Sequence, residues 1–544
     1  MSTYFKTKKK RFFWLLFFVA PLFLFFIHVY FSRTVDDHHY AISTDPDYAY
    51  LLSSIDISSL KKSNVIYHPG TTLQVMSHLI MRCAYAFSNN SEDNFQTSVL
   101  KNPAFYLNVL QSTFASVNII LVLLMGILTF FITKNVFFSL LIQSTPFLSS
   151  QIIILGVREI SPDILLVSIS LTIALILVKI LNSDLDKKKI LIYSILLGLI
   201  TGFGVATKIS FILLLIIPLI IIPSYIPRIV YILSTMVSGF IFTLPIASIY
   251  FKIYEFLLRI FTHKGLYGLG EASIVDLNKY ILNLYRLIKE NLPFIIILFI
   301  SIVIIILAFV SPETRKTAVK NIRFKLLFAI VLTQIFGIMV VARHFKSRYL
   351  LPELCLSGVV IYLLYINSDW IYQNKKFSNS TRKRYLKRIY LIIFISLIFS
   401  FFNTFRCVKN FHYIRSSKLK ESIEIKTKIK KEFKDFGIIY YNNAPSIILG
   451  LDFGNRWTPG YSDTLRKIYG DRYFYHLFRQ FIYNWSKKNK VSFEELKVKY
   501  NNKIIFLGFP FDYFINIPNV KIPSLPLKDV FKGKYYTIYK LVDK

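Results

Sequence analysis

Cysteine is scarce. The 544 residues contain three, Cys83, Cys355 and Cys407, too few and too scattered for a disulfide framework or a metal-type spacing. Acidic residues are also few: 30 Asp+Glu stand against 66 Lys+Arg, a formal charge of +36. In a soluble chain that excess suggests a nucleic-acid partner. No nucleic-acid-binding motif accompanies it, so the reading is of no nucleic acid. Walker and dinucleotide glycine patterns are absent as well. There is no internal repeat and no long low-complexity linker. The first apolar run is not followed by a small-x-small cleavage site, and it is longer than an ordinary signal-peptide core. It reads as a retained helix.

What the chain has in abundance is apolar residues, 54% of the total, with a mean hydropathy of +0.50. They come in blocks. Runs of ~18 or more apolar residues span a bilayer as helices. Such segments fall near 12–31, 105–132, 136–155, 160–181, 190–206, 209–222, 229–250, 292–310, 324–341, 349–366 and 389–402, which predicts an all-α polytopic membrane protein of about 11 transmembrane helices. The two short segments on either side of Lys208 also fit one broken helix or a re-entrant pair.

The surplus of basic charge follows the membrane. Lys6, Lys8, Lys9, Lys10 and Arg11 precede the first run, and Lys187, Lys188, Lys189, Arg315, Lys316, Arg382 and Lys383 fall in alternate connections. The positive-inside rule places these in the cytoplasm with the N-terminus, and the rest of the excess suits contact with anionic membrane lipid. The odd helix count then puts the C-terminal segment outside. The expected organisation is a transmembrane domain over 1–404 with a first outer loop at 32–103, followed by a small soluble extracytoplasmic α/β domain over 405–544. Within the latter, 437–441, 504–508 and 535–539 read as strands, and 409–434 and 463–487 read as helical.

The polar outliers gather on the side opposite the basic loops. The first outer loop carries Asp36, Asp37, His38 and His39, then Asp45-Pro46-Asp47-Tyr48, then His68-Pro69-Gly70. Two carboxylates two residues apart suit a general base or a divalent cation; the same pattern also serves ordinary turns. Arg158-Glu159-Ile160-Ser161-Pro162-Asp163 joins two spans, with Ser161 and Pro162 as a helix-start signal. Lys208 is a lone cation between apolar runs, which needs a partner, water or an escape to the interface. His263-Lys264-Gly265-Leu266-Tyr267-Gly268 lies in a longer outer connection. Arg343, His344, Lys346, Arg348 and Tyr349 form the densest cationic patch beside a span, suited either to a phosphate held at the membrane surface or to anionic head groups.

Taken in order, these features resemble the GT-C glycosyltransferases. Asp45-Pro46-Asp47-Tyr48-Ala49-Tyr50 resembles both the Asp-Pro motif of oligosaccharyltransferase catalytic subunits and the Asp-Glu…Tyr-Ala motif of aminoarabinose and protein mannosyltransferases. His68-Pro69-Gly70 stands where the latter group has its next Pro-containing motif, and Arg348-Tyr349-Leu350-Leu351-Pro352 is similar to their Arg-Tyr-hydrophobic-Pro segment. No Trp-Trp-Asp motif of the oligosaccharyltransferase type occurs, so the aminoarabinose/protein-mannosyltransferase-like set is the nearer one. The resemblance implies a GT-C-like fold and transfer of a hexosyl or pentosyl unit from a polyprenyl-phosphate-linked sugar donor to an extracytoplasmic acceptor glycan, lipid or protein of the cell envelope. It implies Asp45 or Asp47 as the base of an inverting reaction, and Arg343, Lys346, Arg348, Tyr349 and Lys208 at the donor phosphate. His68, Arg158, Glu159, His263, Tyr267 and His344 are further site candidates. A divalent metal cation is compatible with the carboxylates and not required by them. The location implied is a bacterial inner membrane.

Two other classes fit an apolar, multi-pass chain. A transporter or flippase places charges within spans near the midplane, often in related halves; here the charges sit at span ends and no repeat is visible. An O-antigen polymerase or ligase would share the lipid carrier and a large outer loop.

Overall fold

The computed structural model describes residues 8–33, 46–57, 70–88, 93–264, 270–273, 275–310, 312–374, 379–458, 460–477, 479–514 and 525–542. Seven helices among them are long and apolar enough to cross a membrane, or eight when a pair bent by 47°, Ser347–Leu354 with Ser357–Asn367, counts as one span. The protein is an integral, multi-pass membrane protein. The sequence segments that do not reappear as single long helices are interrupted. Residues 136–155 form the helices Val136–Gln143 and Ser150–Val157 around a 3-10 turn started by Pro146. Residues 209–222 form a 3-10 stretch and the short helix Ile216–Ile221. The segment at 389–402 lies within one helix of 54 residues, Asn379–Glu432.

The chain divides into two compact units: Met1–His28, Ile66–Leu73 and Ser112–Val408 in one, Val29–Val65, Gln74–Gln111 and Lys409–Lys544 in the other. Most of the first loop groups with the C-terminal segment.

The first unit holds most of the apolar helices. Side chains such as Phe251, Met236 and Phe240 are largely exposed, as lipid-facing surface in a membrane helix requires. Where helices meet, small residues let backbones approach. Helices Lys187–Thr207 and Tyr225–Thr243 pack along Gly198-x-x-x-Gly202. A Cβ at Gly202 would overlap the Thr235 carbonyl oxygen, and Ser238 Oγ donates to the Leu199 carbonyl at 2.7 Å.

The second unit carries a seven-stranded mixed sheet, in the order β4-β3-β2-β1-β5-β7-β6. The strands are β1 Gly437–Tyr440, β2 Tyr473–His476, β3 Phe481–Asn484, β4 Ser486–Val491, β5 Ile504–Gly508, β6 Leu527–Lys532 and β7 Thr537–Leu541. β1 runs parallel to β2 and β5, and the remaining pairs are antiparallel. β5, the run Ile-Ile-Phe-Leu-Gly, is buried along its whole length, which is what a central strand covered on both faces demands. The aromatic stretch read as a helix over 463–487 is helical only over Ser462–Tyr469. Gly470, at φ +71°, ends that helix, because glycine enters the left-handed region without steric cost. The aromatics after it then alternate along the β2–β3 hairpin. The last strand begins later than its sequence suggests, since the backbone amides of Tyr535 and Tyr536 are taken up by the Glu421 carboxylate.

In the same unit the buried helix Asp47–Asp56 packs against helix Ile447–Trp457. Gly450 and Gly454 permit the contact: a Cβ on either would overlap Tyr48, its ring at Gly450 and its carbonyl at Gly454.

Replacing Gly202 by Leu must separate the backbones of the two packed helices and should cost about 1–3 kcal/mol, the usual range for overpacking. The check is thermal unfolding of the detergent-solubilised full chain beside Met236→Leu, a lipid-facing control expected to match the wild type. Equal melting temperatures for all three would rule out the close contact.

Candidate functional site

In the first unit, Ser161 and Pro162 start helix Pro162–Leu181, with Asp163 in its first turn. An acid there faces the free backbone amides and the positive end of the helix dipole. Lys208 ends helix Lys187–Thr207 in extended geometry, φ −160°. Its position is held by hydrogen bonds of the preceding residue: Gly70 N donates to the Thr207 carbonyl at 3.1 Å, and the hydroxyls of Thr72 and Thr207 are 2.7 Å apart.

These backbone placements bring Lys208 Nζ to 2.6 Å from Asp163 Oδ1, with both side chains 1% exposed. The lone cation of the sequence therefore has a buried partner. Arg348 Nη1 donates to Glu159 Oε1 at 3.1 Å, and its Nε lies 4.0 Å from Asp163 Oδ2. The Tyr349 ring centroid is 4.7 Å from Lys208 Nζ, within range of a cation–π contact. Two cations and two carboxylates thus form one linked group drawn from three distant stretches of sequence. Arg158 beside them is also buried, and the Val157 carbonyl lies 3.1 Å from His28 Nδ1.

A cavity of about 260 Å³ adjoins this group. Its walls are mostly apolar, among them Ile212, Leu213, Phe256, Leu257 and Val340, and its polar members include Lys208, Arg343, His344 and Tyr349. Arg343 Nη2 donates to the Phe261 carbonyl at 2.7 Å, and His344 Nε2 lies 3.0 Å from the Ile260 carbonyl. Both residues are thereby tied to the end of helix Tyr250–Thr262. Chemically the cavity offers an apolar sleeve with cationic donors in its wall, a combination that suits an amphiphile with an anionic head.

Four of the residues expected at a phosphate, Lys208, Arg343, Arg348 and Tyr349, line this cavity or belong to the charged group beside it, together with His344 and Glu159. Arg348 is engaged by Glu159 rather than standing open. Lys346 precedes the 3-10 turn Ser347–Leu350 and lines neither this cavity nor the one next to it. His263 pairs with Ala272 in an isolated bridge, and its Nδ1 lies 2.8 Å from the Thr262 hydroxyl. Asp45, His68 and Tyr267 lie outside the described residues, as do Asp36, Asp37, His38 and His39. Among the described residues no group of three or more His, Cys, Asp and Glu side chains is arranged to hold a metal ion.

Asp47 belongs to the second unit. It is the first residue of helix Asp47–Asp56 and is fully buried. The same helix presents Asp56, whose Oδ1 accepts a hydrogen bond from the Tyr461 hydroxyl at 2.6 Å. Burial, and then the Asp56 charge, hold that phenol protonated far above the usual tyrosine range. Nearby in sequence to Tyr461, Asp452 accepts from Arg456 Nε and from the Tyr483 hydroxyl, each at 2.9 Å. Sequence reading missed the partner of Lys208 in the first unit and the partner of Tyr461 in the second. The Asp452/Arg456 spacing of four on a helix was a readable signal; the others acquire their partners only through long-range packing.

Breaking the buried Lys208–Asp163 pair from one side leaves an uncompensated charge, which costs about 3–5 kcal/mol. Lys208→Met and Asp163→Leu should each lower the unfolding temperature of the solubilised protein markedly, while the double variant recovers much of the loss. Additive losses in that cycle would mean the two groups do not interact.

No family model matches the chain, and neither does any curated protein. Among solved structures it is similar to the crystal structure of ArnT from Cupriavidus metallidurans in the apo state, at 10% sequence identity and a TM-score of 0.48, over 96% of this chain and 97% of that one.

Proposed function

We propose that the protein is a GT-C-type membrane glycosyltransferase that takes a sugar from a polyprenyl-phosphate carrier and delivers it to an extracytoplasmic acceptor of the cell envelope. The observation that carries this reading is the apolar cavity with Lys208, Arg343, His344 and Tyr349 in its wall. An isoprenoid tail needs an apolar sleeve. The phosphate that leaves with the bonding electrons needs fixed cations, because donors aimed at developing charge do the most for such a step. Arg343 fills that role, with His344 beside it. Arg348 and Glu159 hold the Lys208–Asp163 pair in place, and Tyr349 covers the ammonium.

The resemblance to the Asp-Pro motif supplies the other half. Asp45 or Asp47 accepts the proton of an acceptor hydroxyl or amine. The acceptor atom bonds to the anomeric carbon on the face opposite the carrier, the carbon–oxygen bond to phosphate breaks, and the configuration inverts. The N-terminus lies in the cytoplasm and the C-terminal segment outside, in the inner membrane of a bacterium.

Two measurements test the reading. Arg343→Gln should weaken binding of a polyprenyl-phosphate sugar to the full chain in nanodiscs by about tenfold, as expected for one charge-assisted contact, while Lys316→Gln, at an exposed lysine, has no effect. Asp45→Asn or Asp47→Asn should reduce sugar transfer by about 10²–10⁴, the usual contribution of a general base, with folding retained. Asp36→Asn and Asp37→Asn serve as controls. Full transfer activity in all four carboxylate variants would sink the mechanism; carrier binding without any transfer would favour a transporter.

A further inference from the structure

A second cavity, about 240 Å³, lies against the first and shares two of its residues, Arg343 and His344. Its own cations are Lys264, Lys279 and Arg286, set against one carboxylate in the lining, Asp276. Lys279 is neutralised in part by Asp276 at 3.3 Å, and Lys264 by Glu271 at 2.7 Å. The two guanidinium groups are different. Among the described residues neither Arg286 nor Arg343 has a carboxylate within ion-pair distance, and Arg343 Nε is buried with no hydrogen-bond partner. A buried donor left unmatched is costly, which makes it a mark of a missing acceptor.

The helix that supplies Lys279, Asn283 and Arg286 explains where such an acceptor would come from. In Leu277–Glu290, residues 279, 283 and 286 share one face and line the cavity. The opposite face carries Leu277, Ile281 and Tyr285, each 60% or more exposed. An exposed apolar face on a helix that leads into the span Leu292–Val310 is the pattern of a helix lying in the membrane surface. Asn283 Nδ2 fixes its orientation by donating to the Ala342 carbonyl at 2.9 Å. The cationic cavity is thus held at head-group depth, beside the sleeve proposed for the carrier's tail.

Two cation-lined cavities joined through one guanidinium fit two linked anionic groups better than one. We infer that the chain takes a carrier whose head is a diphosphate, the phosphate next to the tail facing Arg343 and His344, the second facing Arg343, Arg286 and Lys264. This rests on the glycosyltransferase reading and narrows its donor. The leaving group is then the whole polyprenyl diphosphate: the bond from the anomeric carbon to the outer phosphate oxygen breaks, the diphosphate keeps the electron pair, and the acceptor's proton passes to the Asp base. A diphosphate carries more charge and is the better leaving group, which accounts for the extra cations.

The test compares polyprenyl monophosphate with polyprenyl diphosphate, of the same chain length, binding to the full protein in zwitterionic nanodiscs. The wild type should bind the diphosphate at least about tenfold more tightly. Arg286→Gln should remove most of that preference and leave monophosphate binding unchanged, and Lys264→Gln should reduce it by a smaller factor; Lys316→Gln should change neither. Thermal unfolding of each variant establishes that it is folded, and either cavity variant alone suffices. Equal affinity of the wild type for both carriers, or an equal effect of Arg286→Gln on both, overturns the diphosphate assignment and leaves the glycosyltransferase reading standing. Failure of both carriers to bind overturns both readings.

Discussion

The contact between Lys208 and Asp163 governs the arrangement of the membrane-embedded unit. Both groups are out of reach of water, and neither is tolerable there alone. Removing a charge from water costs several kcal/mol, and a partner at 2.6 Å recovers that only when the geometry is well fixed. The fixing is visible in the backbone: a proline-started helix presents the carboxylate in its first turn, and a helix end held by Gly70 and Thr72 presents the ammonium. Arg348 and Glu159 add a second pair against the first. Four charges summing to zero can be held at the end of several apolar helices without expelling them from the membrane.

That neutral cluster frees other cations for binding. Arg348 is spent on Glu159. Arg343 has only a carbonyl for one nitrogen and nothing among the described residues for its Nε. The difference between two arginines five residues apart is therefore one of partners, not of residue type. Arg348 is matched by a carboxylate, whereas Arg343 is held by a backbone carbonyl that orients it without neutralising it. Arg286 lies with its guanidinium 6.0 Å from the Phe345 ring, and among the described residues it has no carboxylate within ion-pair distance.

The two units use the same packing device for different ends. In the first, Gly198 and Gly202 let two apolar helices touch backbone to backbone, where association relies on close packing and not on the hydrophobic effect. In the second, Gly450 and Gly454 receive Tyr48, which locks the helix bearing Asp47 and Asp56 onto one from the far end of the chain. Asp56 is then close enough to Tyr461 to share a hydrogen bond.

The apolar blocks determined that the chain is a multi-pass membrane protein, since helix is the one local structure that satisfies the backbone of a continuous apolar run in lipid. Sequence likewise marked the strand at Ile504–Gly508, the helix start at Ser161-Pro162 and the cationic patch at 343–349, because each is written in adjacent residues. It misread the aromatics after Gly470, where strand alternation and helical scatter look alike over a few residues and one left-handed glycine decides between them. Sequence order also cannot register that Tyr48 has a glycine-lined seat on helix Ile447–Trp457. What only the tertiary structure decided is pairing: which carboxylate meets Lys208, and which arginine is already neutralised. Pairing energies depend on distance and burial between residues far apart in the chain, and neither quantity is carried by the order of the amino acids.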